Sequence, residues 1–113
     1  MTDLARGQIW LANLNPTRGR EQAGNRPCLI ISVDLFNQGA SGLVIVLPLT
    51  SKEKGIPFHV EVLPPEGGLK MKSFIKTEDI RSISVERLDR YLGTVSLETL
   101  AEVEDRLRIL MGL

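Results

Sequence analysis

The sequence predicts a small, mainly β fold: a barrel or strongly curled sheet, finished by one C-terminal helix. Three observations carry this. Short apolar or alternating runs recur up to residue 95, each stopped by Gly, Pro, Asn or Asp. Only the last stretch has helical spacing of its apolar residues. The 113 residues are 42% hydrophobic and 25% charged, which suits one domain with a core that needs neither disulfide nor metal.

Residues 7–14 (GQIWLANL) form the first run, stopped by Asn15-Pro16. Residues 17–25 (TRGREQAGN) are polar apart from Ala23 and read as a loop. Arg26-Pro27 then opens CLIISV, whose β-branched residues predict a second strand. Residues 35–42 make a short excursion of one helical turn, ending in Gly39 and Gly42. The run 43–49 (LVIVLPL) is continuously apolar, so this strand is expected to be covered on both faces. Pro48 lacks a donor N–H and is expected at that strand's end or edge.

Residues 58–63 (FHVEVL) alternate, with Phe58, Val60 and Val62 facing inward and His59 and Glu61 facing solvent. PPEGG at 64–68 is a turn. Residues 73–77 and 80–85 predict two further short strands, and 91–95 one more. Ser96 is a good N-cap with Glu98 in the first turn behind it. Leu97, Leu100, Ala101, Val103, Leu107 and Leu110 form the apolar stripe. Arg106 and Arg108 favour the C-terminal end, and Gly112 stops the helix. Of these seven runs five or six are read as strands, with one helix after them.

Composition narrows the chemistry. Fourteen Lys+Arg balance fourteen Asp+Glu, which argues against a protein that coats nucleic acid by bulk charge. Neutrality is an average, however. Residues 17–26 hold three arginines against one glutamate, while 98–108 hold four acids against two arginines. No apolar run approaches the roughly 18–20 residues that span a bilayer, and MTDLARGQIW has no signal-peptide apolar core. Cys28 is the only cysteine, so a reducing cytoplasm is the expected compartment. One His and one Cys do not make a zinc site, no acidic spacing matches a calcium loop, and nucleotide-binding glycine signatures are absent. No metal or other cofactor is expected. His59 reads as a surface histidine and Cys28 as a small buried apolar residue.

What remains is a phosphate site. Arg26 sits where the basic loop enters an apolar strand, so its guanidinium has a fixed base. Thr50-Ser51 ends the run LVIVLPL, and Lys52 and Lys54 follow it. An arginine with one or two hydroxyls suits phosphate oxygens. Such a site needs no metal to cut RNA, because the ribose 2′-OH is an internal nucleophile already close to phosphorus. DNA lacks that hydroxyl.

These residues resemble the MazF/PemK toxins, the endoribonuclease halves of type II toxin–antitoxin pairs. The family pattern is G-x-[IV]-[YW], a Pro, then G-x-E-Q-x-G-x-R-P-x-L. It is met by Gly7, Ile9, Trp10, Pro16, Gly19, Glu21, Gln22, Gly24, Arg26, Pro27 and Leu29. The likeness continues through LPLTS, HVEV and SFIKTEDIRSISVERL to the terminal helix, essentially the whole chain. It implies an SH3-like barrel of the MazF/PemK/CcdB type, one toxin domain over residues 1–113, and a homodimer. It also implies metal-independent, sequence-specific cleavage of single-stranded RNA (mRNA). Attack by the 2′-OH would leave a 2′,3′-cyclic phosphate, or a 3′-phosphate, and a 5′-OH.

The family's catalytic arginine falls on Arg26 and its catalytic hydroxyl on Thr50. A guanidinium is costly to deprotonate at neutral pH, so Arg26 is expected to stabilise transition-state charge. Thr50 would donate to a non-bridging oxygen, with Ser51 secondary and Lys52 adding field. Glu21, the loop signature's one carboxylate, would orient Arg26 or accept the 2′-OH proton. Arg18, Arg20, Gln22 and Asn25 are the candidates for contacts to bases.

The implied partner is a cognate antitoxin whose disordered, acidic C-terminal segment covers the basic groove. Promoter DNA would be reached only through that antitoxin complex. The competing readings on the same barrel are a non-catalytic SH3-like binding module and a toxin that poisons a topoisomerase.

Overall fold

The computed structural model describes residues 3–16, 19 and 24–113. The elements in order are β1 (Gln8–Asn13), β2 (Asn25–Ile30), α1 (Asp34–Asn37), β3 (Leu43–Thr50), β4 (His59–Val62), β5 (Ser73–Lys76), β6 (Arg81–Ser84), β7 (Leu88–Thr94) and α2 (Leu97–Met111). Short 3-10 turns at Glu66–Gly68, Thr77–Asp79 and Val85–Arg87 join the later elements. The sheet runs β4-β5-β3-β2-β1-β7, with β6 pairing alongside β3, and all pairs are antiparallel. The sequence's five or six strands are thus seven, and the loop 17–23 lies largely outside the described residues.

β3 organises the sheet. Val44 and Val46 point to one side, into a cluster with Ala12, Cys28, Ile30 and Ile83. Leu47 and Leu49 point to the other, into a cluster with Leu29, Val60, Val62, Ile75 and Val103. A strand covered on both faces was the expectation from its unbroken apolar run. Pro48 differs from expectation: it is buried inside β3, opposite Cys28. On the side away from β2, residues 43–46 pair with β6 and 49–50 pair with β5. Pro48 falls between these two partners, where the ladder does not call on the N–H it lacks.

The two ends of the strand path, β4 and β7, do not pair. They meet through the turn Glu66–Gly68, which follows β4 and lies backbone-on-backbone against β7. A Cβ on Gly68 would stand 1.9 Å from the Leu92 carbonyl oxygen, and one on Gly93 would stand 2.5 Å from the Gly67 carbonyl carbon. Only glycine tolerates that approach, and Gly68 also has φ of +71°. The fold is therefore a small SH3-like barrel with a C-terminal helix, closed along one seam by a turn instead of by strand hydrogen bonds.

α2 is capped as the sequence foretold. Ser96 Oγ accepts from the Thr99 N–H at 3.1 Å, and Gly112 takes the left-handed conformation. The buried stripe is narrower than expected. Val103 is fully buried with Leu100 and Leu107 packed beside it, whereas Leu97 is 84% exposed and Ala101 and Leu110 also face outward. No described helix is long and apolar enough to cross a membrane.

Candidate functional site

β2 and β3 deliver the two residues that sequence chemistry singled out. Their antiparallel register pairs Cys28 with Pro48, and two residues further on it reaches Arg26 and Thr50. Arg26 is also held on its other side, opposite Ala12 of β1, and Thr50 opposite Phe74 of β5. Arg26 is thus held by β1 and Thr50 by β5, at the point where the sheet's core gives way to solvent. Rigid strand ends position a reacting group better than a loop does.

Both residues line one cleft of about 240 Å³. β2 and β3 contribute Arg26, Pro27, Leu49, Thr50 and the adjoining Ser51. The closing turn and the segment after it contribute Gly68, Leu69, Lys70 and Met71, and β5 adds Ser73. β7 supplies Arg90 and Leu92. The cleft thus opens on the seam of the barrel. Among the described residues its lining carries three cations, three hydroxyls and no carboxylate, a composition suited to an anion.

Thr50 is only 7% exposed, and its Oγ1 accepts the Lys52 backbone N–H at 3.2 Å. One lone pair is used, so the hydroxyl proton remains available to donate. Ser51 lines the mouth and is exposed. Lys52 contributes that backbone N–H, while its exposed side chain lies outside the cleft lining. Asn25 is exposed on β2 opposite Asn13, also outside the lining. Arg18, Arg20, Glu21 and Gln22 lie outside the described residues.

Three cleft residues escaped the sequence reading: Lys70, Ser73 and Arg90. They reach the cleft through the seam, a contact between distant segments that no local pattern announces. The only local trace is the pair Gly67-Gly68 with Gly93, and glycine pairs usually mark plain turns.

The lone cysteine and histidine lie elsewhere. Burial pushes the Cys28 thiol up to about 12, despite the opposing field of Arg81, so it is not a thiolate at neutral pH. His59 is not the surface residue that strand alternation suggested. Its side chain is 3% exposed, with Nε2 at 2.8 Å from Glu78 Oε2. The turn Thr77–Asp79 folds over the outer face of β4, tied by the Thr77 hydroxyl to the Phe58 carbonyl at 2.6 Å. Alternation gave the correct face; the cover came from the turn. No cluster of three His, Cys, Asp or Glu side chains suited to a metal exists among the described residues.

Behind the cleft, Glu66 ties the closing turn to α2. Its Oε2 accepts from the Ser96 N–H at 3.0 Å, the Ser96 hydroxyl at 3.2 Å and the Thr99 hydroxyl at 2.5 Å. Partial burial opposes its ionisation, but the Thr99 and Ser96 donors outweigh that and hold the carboxyl below its ordinary value.

Comparison with known proteins places this architecture. The chain is 36% identical to the endoribonuclease MazF9 of Mycobacterium tuberculosis, over 97% of this chain and 98% of the relative. The crystal structure of MazF from Deinococcus radiodurans superposes with a TM-score of 0.89 at 31% identity, with both chains covered in full. A mycobacterial endoribonuclease solved in complex with its cognate antitoxin matches at a TM-score of 0.78 and 25% identity, covering 100% of this chain and 97% of that one. Residues 5–111 match the family model of PemK-like, MazF-like toxins of type II toxin–antitoxin systems, and the chain belongs to that family.

Proposed function

We propose that the chain is an endoribonuclease toxin that cuts single-stranded RNA at the Arg26–Thr50 cleft without a metal. One observation carries the reading: a buried hydroxyl with its proton to give and an arginine held on a strand share one cleft, whose described lining is cationic and without a carboxylate. The RNA supplies the nucleophile. Its 2′-oxygen bonds to phosphorus as the bond to the 5′-oxygen breaks, giving a 2′,3′-cyclic phosphate and a 5′-OH. The 2′ proton leaves to a base, and the departing 5′-oxygen takes one up.

The protein's part is charge placement. The Arg26 guanidinium neutralises the non-bridging oxygens as the phosphorane-like transition state forms. Thr50 donates to one of those oxygens, with Ser51 at the mouth as a second donor. On this reading Glu21 orients Arg26 or is the base that accepts the 2′-OH proton. Arg18, Arg20, Gln22 and Asn25 supply contacts to the strand on either side, and Lys52 adds positive field. Together they make the cut sequence-specific.

The same cations recommend the partner. A cognate antitoxin with an acidic, disordered C-terminal segment would compete for the cleft, folding as it binds. The family resemblance further supports a homodimer acting in the cytoplasm as one toxin domain, with promoter DNA contacted only through the antitoxin. The deciding experiment incubates the purified protein with single-stranded RNA in excess EDTA and analyses the fragment ends. Fragments with 5′-OH and cyclic-phosphate ends are expected. Intact RNA, or cutting abolished by the chelator, would overturn the proposal; binding without cutting would favour the non-catalytic module.

A further inference from the structure

The catalytic reading uses one of the three cations in the cleft. Lys70 and Arg90 also line it, and neither forms an ion pair among the described residues. Arg90 is rooted rigidly. It stands opposite Leu11 on β1, and Leu11 stands opposite Pro27 on β2. Residues directly opposite one another in antiparallel strands share a face, so Pro27, Leu11 and Arg90 form a row across three strands. That row sets Arg90 two strand spacings, about 10 Å, from Pro27, the residue that follows Arg26, and both arginines line the cleft. The same lining carries the apolar side chains of Leu69, Met71 and Leu92.

One phosphate is already met by Arg26 and Thr50. A second guanidinium on a separate strand, with a lysine and apolar side chains lining the same cleft, is suited to another. We propose that Arg90, assisted by Lys70, is a second anion anchor of the cleft. It holds the phosphate adjacent to the scissile one, with the intervening nucleoside lying on Leu69, Met71 and Leu92. Arg90 is then a positioning residue: it fixes the strand and does not touch the reacting atoms. The substrate unit of the cleft is a dinucleotide step, two consecutive phosphates and the nucleoside between them. This rests on the nuclease reading for its substrate, and on the seam geometry for its residue.

The test pairs binding with kinetics, using Arg90→Gln, Arg90→Lys and the unaltered protein. The binding probe is a fluorescein-labelled 20-mer RNA of random sequence, fully 2′-O-methylated so that it is not cut. Loss of one phosphate contact lowers the slope of log affinity against log salt by about 0.7 for a single strand. We expect that decrement in Arg90→Gln and its restoration in Arg90→Lys. On cleavable RNA, Arg90→Gln is expected to raise KM about tenfold, the size of one charge-assisted hydrogen bond, with kcat within about twofold.

An unchanged slope and KM, with cutting intact, overturns the anchor and leaves the nuclease reading standing. A fall in kcat at constant KM also overturns it. If the unaltered protein cuts no RNA but its binding slope still depends on Arg90, the nuclease reading falls and the anion anchor survives.

Discussion

The two ends of the turn Glu66–Gly68 treat charge in opposite ways. At one end Glu66 is answered three times over, by the Ser96 N–H, the Ser96 hydroxyl and the Thr99 hydroxyl. That carboxylate is spent on tying the barrel seam to the N-terminus of α2, where negative charge is also favoured by the helix dipole. At the other end, past Gly68, the cleft collects Arg26, Lys70 and Arg90, with no carboxylate among the described residues of its lining. Charge turned inward at Glu66 holds the fold; charge gathered along the cleft is aimed at something that arrives. The predictions below attack one end or the other, and each should move one property without the other.

The largest effect is expected from Arg26→Ala. Loss of the principal charge stabiliser should reduce kcat about a thousandfold, roughly 4 kcal/mol of transition-state energy, with the urea unfolding midpoint little changed. Arg26→Lys keeps the charge but not the planar fork, so it should recover only a small part of the rate. Full recovery would show that bidentate geometry is irrelevant.

Next is Gly68→Ala, on the structural side. Its new Cβ would meet the Leu92 carbonyl oxygen at 1.9 Å, backbone against backbone, at φ +71°. We expect a loss of about 3 kcal/mol or more in stability by urea unfolding. If the fold is unperturbed, the seam is looser than described.

Thr50→Val follows, removing one hydroxyl donor at nearly constant volume. A fall of about a hundredfold in kcat is expected, with KM nearly constant, since the bond is made mainly to the developing charge.

The smallest effect is Glu66→Gln, expected to cost about 1 kcal/mol at neutral pH by weakening three hydrogen bonds and the helix-end charge. The pH dependence has a definite sign. The folded-state carboxyl titrates below its ordinary value of 4.5, so its contribution is present above that value and is lost as pH falls through the lower folded value. Urea titrations at pH 7 and at pH 3 should show the difference between the two proteins narrowing as the pH falls. RNA cleavage at neutral pH should be unaffected by this change.

Much of the fold was legible because it is local. The apolar run of β3, the Ser96 and Gly112 caps and the one-turn excursion at α1 all announce themselves within a few residues. Pro48 was misplaced because its tolerance depends on β3 changing partners from β6 to β5, which is a property of three strands. His59 was misplaced because alternation tells which face a side chain takes, not what later covers that face. The paired Arg26 and Thr50 emerged from residue chemistry, and their convergence on one cleft follows from the register linking Cys28 with Pro48. Lys70 and Arg90 were illegible for the same reason that the seam was. They are brought together by a backbone contact between residues 67–68 and 92–93.

The central claim is that the RNA brings the nucleophile and the cleft brings only placed charge. Its most direct test is an RNA carrying a single 2′-deoxy nucleotide immediately 5′ to a mapped cut, assayed in EDTA for binding and for cutting at that bond. The account predicts that cutting there stops while affinity stays within about twofold, since the 2′-oxygen is the attacking atom and not the main binding contact. Continued cutting at the deoxy position would contradict it.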